Sequence, residues 1–437
     1  MNRFVVGLSA VSSGRSAWLI LGVSGIAYTY GAGAVWAIVG YTFIECLQFL
    51  YIGRRLRTQT QQYGSITLLD YLESRYNDKQ HLLRITGVFI IGIFITAYVS
   101  AQLFGGAKTL SSAMNLDILW CLLISAAVIL VYMILGGFVA VAYNDVVRAV
   151  IMLIGLVVLP IVGIVRIGGP SALISILKQL NPTHIDPLFL GLGVIIGYVG
   201  IGLGSPGQPH ILVRYMAIDN EKKLKDAAII GTFWNVILGL GAVSVGMLGK
   251  AFFPQVNSLP NADSEMVYLV LSAKFFGPAF YGLLVGGIFA AILSTADSQL
   301  LVVASAFVRD IYEKIWKKRE VIDEKKRLVL SRYIVILSGI LALILASVAN
   351  DQVFWLVLFA WGGLGASFGP AIILSLYWRG TSRIGIFAGM ITGIVITMVW
   401  ILCFKETTGL YELVPAFFGS FVITILVSFF SRTQTMD

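Results

Sequence analysis

The chain has 437 residues, of which 58% are hydrophobic and only 12% are charged. This composition excludes a water-soluble globular protein, whose surface needs many more charged side chains. The net charge of +9 would suggest a nucleic-acid partner in a soluble protein, but here the basic residues stand in short connections between apolar stretches. They indicate membrane topology, and no nucleic-acid partner is expected.

Apolar stretches of about 20 residues, the length of helix that crosses a bilayer, recur along the whole chain. They predict an all-α polytopic membrane protein, because only helices satisfy their own backbone in lipid at this hydropathy. No stretch between them is long enough for a soluble domain, and no obligate protein partner is expected. We predict about twelve transmembrane helices, at residues 4–27, 32–52, 84–107, 117–136, 141–165, 187–209, 227–249, 277–308, 329–349, 352–377, 384–404 and 410–431.

The 31 Lys and Arg residues are distributed unevenly between the connections. If the start of the chain and every second connection lie on the same side of the membrane, most of these basic residues are on that side. Cytoplasmic connections carry the excess of basic residues, so both termini are predicted to be cytoplasmic in a plasma membrane, the inner membrane of a bacterium. The basic run from Lys314 to Arg327 is interpreted as a solvated loop near anionic lipid.

Two spans contain residues that interrupt a membrane helix. The first carries small and polar residues from Ser9 to Ser16, and the sixth has five glycines and two prolines within the 13 residues from Gly197 to Pro209. Small residues also allow close helix packing, but this density predicts broken helices whose carbonyls line a cavity.

The two predicted breaks are five spans apart. An odd repeat length inverts the second copy, so we predict two inverted repeats at about 4–165 and 187–377, followed by additional helices at about 384–431. Paired broken helices are typical of secondary transporters, whose binding site lies at the midplane between them.

Four segments resemble motifs of one known family, the sodium/solute symporter family, and are nearest to its sodium/proline symporter branch. The resemblance extends from about residue 8 to residue 431 and implies a leucine-transporter-like fold of five-plus-five inverted repeats with two additional C-terminal helices. It also implies sodium as the coupling ion and a small-molecule substrate. Family members usually have one more helix before the first broken one. The segments are Leu8-Ser9-Ala10 with Ser16-Ala17-Trp18-Leu19, Gly136-Gly137-Phe138-Val139-Ala140-Val141 with Asp145, the run Gly207 to Arg214, and the run Ala290 to Leu301.

The resemblance implies a sodium site at the first break. Its ligands would be the hydroxyls of Ser294 and Thr295, together with the backbone carbonyls of Ser12, Arg15 and Ala291. Neutral oxygen ligands suit a hard monovalent cation that is released in every cycle. The alternative is that both hydroxyls only bond to the carbonyl four residues earlier in their own helix.

A second polar group lies further along the eighth span. Asp297 and Ser298 share a helix face with Ser294, and Asp145 of the fifth span is expected to approach that face. A buried carboxylate is costly in a membrane and is by default a functional hypothesis. The resemblance implies that Asp145, Asp297 and Ser298 form a second cation site or an exit path for sodium. The alternative pairs Asp145 with Arg148 as a structural ion pair.

Arg15 and Glu45 are two further charged residues that lie well inside predicted spans. Adjacent antiparallel spans bring them together, and a structural pair is the preferred interpretation. The alternative is that Arg15 meets the carboxylate of a substrate through its planar fork of donors. The half-helix end near residues 204–207 is another place where a substrate carboxylate is stabilised.

The resemblance also implies substrate-side positions, namely Ser16, Gly22, Tyr98, Ser205 and Pro209. For Tyr98 the alternative is an ordinary packed aromatic residue. In the proline branch an aspartate stands at the position of Gly14, and two aromatic residues stand at the positions of Ile201 and Ser205. We therefore expect weaker selection for a pyrrolidine ring.

The expected function is sodium-coupled symport of a small zwitterionic or carboxylate-bearing solute, with proline as the first candidate. The alternatives are symport of pantothenate, another carboxylate or a sugar, and a non-transporting sensor with the same fold. The sequence contains no nucleotide-binding or phosphate-cradling motif, so neither an ATP-driven pump nor an enzyme is expected.

Overall fold

The computed structural model describes residues 1–135, 138–317, 323–349 and 352–433. Within these ranges the regular structure is entirely helical, which confirms the all-α class. The first helices are α1 (Arg3–Gly14), α2 (Ser24–Tyr30), α3 (Val35–Leu47), α4 (Arg54–Gln62), α5 (Leu68–Tyr76), α6 (Leu82–Met114), α7 (Ile118–Leu135), α8 (Phe138–Ile167) and α9 (Pro170–Leu180). The others are α10 (Leu192–Gly200), α11 (Pro209–Met216), α12 (Leu224–Phe252), α13 (Val267–Phe275), α14 (Pro278–Ser305), α15 (Glu324–Ser347), α16 (Val353–Tyr377), α17 (Arg383–Cys403), α18 (Lys405–Thr408) and α19 (Leu413–Thr433).

Nine helical segments in the described part of the chain are long and apolar enough to cross a membrane, and Ile118–Met133 and Leu192–Gly207 are shorter apolar helices. The predicted spans overlie these segments, and the exact number of twelve stays a prediction. Five helices in the connections, α4, α5, α9, α13 and α18, were not predicted. Each has only 4 to 11 residues, so a search for membrane-length apolar stretches does not detect them.

The first helix is broken where its sequence predicts. Helix α1 ends at Gly14 because Arg15 leaves the helical region, with φ −112° and ψ 72°. The chain then continues through a π-helical turn, Trp18–Val23, into α2. Every residue from 5 to 28 is buried, so this segment lies inside the bundle, where it packs against α8, α11, α12 and α14.

The second break lies between α10 and α11. Residues Ile201–Gly207 form a 3₁₀ helix, Gln208 is extended, and α11 begins with Pro209 at its first position, where a missing N–H costs nothing. The Gln208 amide donates to the carbonyl of Gly204 at 3.1 Å, and the Trp361 indole donates to the carbonyl of Ile201 at 2.8 Å. These side chains satisfy backbone groups that an intact helix would have paired.

Helix α16 packs against both breaks and is buried along most of its length. Helices α7, α15, α17 and α19 instead expose large apolar side chains, such as Trp120, Leu341, Leu402 and Phe429. This arrangement suits a protein with hydrocarbon around it. Gly136 and Gly137 of the family motif, and residues 318–322 of the basic run, lie outside the described residues.

Candidate functional site

A small pocket lies between the two breaks. Its volume is about 10 Å³, which is enough for about one water molecule. Four of its lining residues are aromatic. The rings of Trp18 and Tyr41 are 5.9 Å apart, and those of Tyr41 and Trp361 are 5.5 Å apart. Ile201 is not aromatic, as its sequence position indicates, but the aromatic walls that α3 and α16 supply were not predicted. The lining residues are Gly14, Trp18, Tyr41, Tyr98, Ile201, Val357, Leu358 and Trp361.

Only some of the predicted substrate-side residues lie at this pocket. Tyr98 lines it, and its hydroxyl approaches the side chain of Ser16. Ser205 is buried in the second break, where its hydroxyl makes no hydrogen bond with any described residue. Gly22 packs against Phe354 of α16, since an added Cβ would lie 3.1 Å from the Phe354 Cα. Pro209 lines a different, larger cavity.

The residues of the predicted sodium site come from two adjacent helices. Ser294, Thr295 and Ala291 are buried on α14, which packs against α1, the helix that carries Ser12. The Ser294 hydroxyl donates to the Ala291 carbonyl at 2.9 Å. In contrast, the Thr295 hydroxyl has no hydrogen-bond partner among the residues that the structure describes. The alternative therefore holds for Ser294 only in part, since its hydroxyl bonds to a carbonyl three and not four residues earlier, and it fails for Thr295.

The Ser12 carbonyl accepts the backbone N–H of Arg15 at 3.3 Å, which closes the last turn of α1. The Ser12 hydroxyl is buried and makes no hydrogen bond within the described ranges. Free polar oxygens on both α1 and α14 are the kind of donor set that a sodium ion requires.

Asp145 lies in a buried cluster that joins four helices. It accepts hydrogen bonds from Ser9 at 2.7 Å and from Arg214 of α11 at 3.1 Å. Arg214 also donates to the Ser298 hydroxyl at 2.7 Å. Asp145 and Ser298 are thus close to each other, as predicted, but the guanidinium of Arg214 bridges them.

The alternative of an ion pair with Arg148 is wrong. Both residues are described, and the ion pair of Asp145 is with Arg214. Arg148 instead acts electrostatically on Asp297, together with Asp145. Neither carboxyl oxygen of Asp297 has a hydrogen-bond partner in the described part of the chain. Arg214 was not predicted to take part in this cluster, although it ends one of the family motifs.

The predicted pairing of Arg15 with Glu45 is indirect. Arg15 Nε donates to the Asn235 side-chain oxygen at 2.8 Å, and the Asn235 amide donates to Glu45. Tyr41 also donates to Glu45, at 3.2 Å, and the Arg15 guanidinium stacks 3.7 Å from the centre of the Tyr41 ring. A direct ion pair was the expectation, and Asn235 of α12 was missed because one amide in an apolar span gives no periodic signal.

A cavity of about 530 Å³ opens on the side of the molecule that carries α5. Pro209 and Arg214 of α11, Ser298 of α14 and Asp310 contribute to its walls. The cavity therefore reaches the Asp145 cluster. At its rim, buried Arg84 pairs with Asp70 at 2.9 Å and also contacts Glu73 and Asp310.

At the opposite end, Glu265 ties three elements together. Its carboxylate accepts the backbone N–H groups of Val353 and Phe354, each at 2.9 Å, and pairs with Lys108 of α6 at 2.6 Å. Because Val353 is the first residue of α16, this contact holds the end of α16 against α6. A cavity of about 550 Å³ also lies at this end, and Lys108, Asp263 and Gln352 contribute to its walls.

Known proteins resemble this chain in sequence and in fold. The sequence model of the sodium:solute symporter family matches residues 1–393. Sodium/proline symporter 2 of Staphylococcus saprophyticus is 38% identical over 99% of this chain and 86% of its own length. The osmoregulated proline transporter OpuE of Bacillus subtilis is 36% identical over 99% of this chain and 88% of its own length.

Solved structures share the fold. A substrate-bound, outward-open Na⁺-coupled sialic acid symporter matches 98% of this chain and 90% of its own, with a TM-score of 0.78 at 17% identity. A transporter of the nucleobase-cation-symport-1 family in a closed conformation matches 99% of this chain and 92% of its own, with a TM-score of 0.60 at 10% identity. The match of the family model over most of the chain, together with these near full-length relatives, shows that the chain belongs to the sodium:solute symporter family.

Proposed function

We propose that this chain is a sodium-coupled symporter that moves proline, or a related small carboxylate-bearing solute, into the cell. Family membership makes it a transporter and not an enzyme. The observation that carries the substrate proposal is the near full-length identity of 36% to 38% with relatives named as proline transporters. The position of the small pocket between the two broken helices supports a binding site there.

The proposed sodium site comprises Ser294 and Thr295 with the carbonyls of Ser12, Arg15 and Ala291. Support comes from the packing of α1 on α14 and from the buried Thr295 hydroxyl, which the described residues leave unpaired. The proposed second site or exit path comprises Asp145, Asp297 and Ser298, and it now includes Arg214 as its internal cation. The large cavity that reaches this cluster supports an exit toward the cytoplasm.

Both termini are proposed to be cytoplasmic, in the plasma membrane of a bacterial cell. The excess of Lys and Arg in alternate connections supports this topology. We also propose two inverted repeats, at about 4–165 and 187–377, with additional helices at about 384–431. The occurrence of one break near the start of each segment, at Arg15 and at Gln208, supports the repeats. No protein partner or nucleic acid is required by this proposal.

One sodium ion supplies enough free energy for useful accumulation. A membrane potential of about 100 mV contributes roughly 2.3 kcal/mol for one charge, and a tenfold sodium gradient adds about 1.4 kcal/mol. At a ratio of one sodium to one solute, the sum supports accumulation of roughly several hundred-fold.

Uptake into proteoliposomes tests the proposal. Labelled proline should enter when a sodium gradient is imposed and should not enter with a potassium gradient of the same size. Unlabelled proline, other small amino acids, betaine, pantothenate and a sugar are then compared as competitors. Uptake that is indifferent to sodium and driven by a pH gradient would overturn the coupling ion. A sugar that is transported while proline is neither transported nor competitive would overturn the substrate class.

A further inference from the structure

The pocket between the breaks is bordered by hydrogen-bond donors that have no acceptor. The Trp18 indole N–H and the Tyr98 hydroxyl are buried, line the pocket, and make no hydrogen bond of normal geometry in the described part of the chain. Beside them, both terminal nitrogens of Arg15 are likewise without a partner among the described residues. A buried donor that lacks an acceptor is costly, and a buried unpaired charge is more so. A ligand group that is negatively charged and accepts hydrogen bonds would satisfy these donors.

The guanidinium of Arg15 is held in place by other groups. Its Nε donates a hydrogen bond to the side-chain oxygen of Asn235. Its Cζ atom lies 3.7 Å from the centre of the Tyr41 ring and 5.5 Å from the centre of the Trp18 ring. Tyr98 also interacts electrostatically with the Arg15 guanidinium. Three residues of the pocket wall therefore surround this side chain. With Nε engaged, the two terminal nitrogens remain as a planar pair that matches the two oxygens of a carboxylate.

Glu45 fixes the arrangement without using up those nitrogens. Its two oxygens accept hydrogen bonds from Tyr41 and from Asn235, and Asn235 in turn accepts one from Arg15 Nε. Glu45 therefore balances the charge of Arg15 without a direct hydrogen bond, and the terminal nitrogens of Arg15 stay available. None of the eight residues that line the pocket is acidic, and all eight are described. The pocket wall therefore has hydrogen-bond donors that can bind the carboxylate of a solute. It has no carboxylate of its own that could bind the amine of a solute.

We propose that Arg15, with the Trp18 indole and the Tyr98 hydroxyl, binds the carboxylate of the transported solute, and that selection depends on this carboxylate and not on the amino group. The inference rests on the proposed symport of a carboxylate-bearing solute and names the residue that selects it. The pocket widens when the solute enters, because its present volume of about 10 Å³ is that of about one water molecule.

The test is the thermal stability of the purified full-length protein in the presence of sodium, titrated with four probes. Proline has both groups, cyclopentanecarboxylate has only the acid, and prolinamide and pyrrolidine have only the amine. The wild type should be stabilised by the two acids at similar concentrations and not by the two amines. Stabilisation by prolinamide equal to that by proline would overturn the inference.

Variants separate recognition from structural support. The double variant Arg15→Gln/Glu45→Gln removes both charges while it keeps amides for Asn235, so it is the variant most able to fold. Loss of charge-assisted hydrogen bonds should raise the half-saturating acid concentration by roughly tenfold to a hundredfold and abolish the preference for acids over amides. Glu45→Gln alone should keep the preference, because Arg15 remains. Arg166→Gln, which removes an arginine away from the pocket, is the matched control.

A double variant that folds and still prefers acids over amides would show that Arg15 is only structural. The result is separable from the symport proposal. If a different acid binds in an Arg15-dependent manner and proline does not, the carboxylate site stands and proline is wrong. If proline is taken up with sodium but acids and amides bind equally, the symport proposal stands and the carboxylate site is wrong.

Discussion

Replacing Thr295 by valine should raise the stability of the sodium-free protein. It should also raise the sodium concentration that half-maximal transport requires. The side chain is fully buried, and its hydroxyl has no partner within residues 1–135, 138–317, 323–349 and 352–433. Valine keeps the shape and removes only this oxygen. Because an unpaired buried hydroxyl costs about 1–3 kcal/mol, the sodium-free protein should gain on the order of 1 kcal/mol in free energy of unfolding.

The effect on sodium should have the opposite sign. An interaction of a hydroxyl with a full charge is worth about 1.5–3 kcal/mol, so its loss should raise the sodium concentration for half-maximal uptake by roughly tenfold to a hundredfold. Thr295→Ser keeps the oxygen and should stay close to the wild type. Ser294→Ala should differ from Thr295→Val, because its hydroxyl already donates to the Ala291 carbonyl and its removal costs about 1 kcal/mol of stability.

Two measurements are needed, namely thermal unfolding in detergent with choline chloride or sodium chloride, and the sodium dependence of uptake in proteoliposomes. Thr397→Val is the matched control, since the buried Thr397 hydroxyl donates to the Gly393 carbonyl at 2.8 Å. The control should lose about 1 kcal/mol of stability and keep its sodium dependence. Unchanged sodium dependence in Thr295→Val would remove Thr295 from the sodium site.

Three other perturbations test the charged clusters. Arg214→Gln leaves Asp145 without its cation, so it should lower the free energy of unfolding by about 3–5 kcal/mol, and added sodium chloride should recover more of this loss than choline chloride does. Glu265→Gln should lower the melting temperature, and the loss should be smaller in a background that already carries Lys108→Met, since the two residues pair; equal losses in both backgrounds would contradict the pairing. For Asp70, burial raises the pKa but the hydrogen bonds and charges of its arginine neighbours outweigh it, so the pKa lies below the ordinary 3.8. The stability it contributes should be present at neutral pH and lost as the pH falls through the folded-state pKa, and Asp70→Asn should lack this part of the acid transition in a pH series of melting temperatures.

The breaks were predictable because their causes are local. Glycine and proline change the backbone where they stand, and the chain leaves the helix at Arg15 and at Gln208 as the composition indicates. The glycines also serve packing, which was the alternative. Gly207, for example, meets the backbone of Gly365 so closely that a Cβ has no room. Both interpretations of the small residues are therefore correct at the second break.

The polar partners were not predictable because they are far apart in the sequence. Arg214 meets Asp145 from 69 positions away, and Arg15 meets Asn235 from 220 positions away. Hydropathy and spacing report which residues share a helix face but not which faces meet. The expectation of an Asp145 pair with Arg148 followed from spacing within one helix, and the tertiary packing of α11 overrode it.

Arg15 belongs to both proposed sites, and this position gives a physical basis for coupling. Its backbone carbonyl is assigned to the sodium site, and its side chain is assigned to the carboxylate of the solute. The residue stands where α1 ends, with a non-helical φ and ψ, so an ion that fixes the carbonyl also restricts the direction of the side chain. Binding free energies are coupled reciprocally. Sodium must therefore improve the affinity for the solute by the same factor by which the solute improves the affinity for sodium, and a single broken turn is sufficient to connect the two.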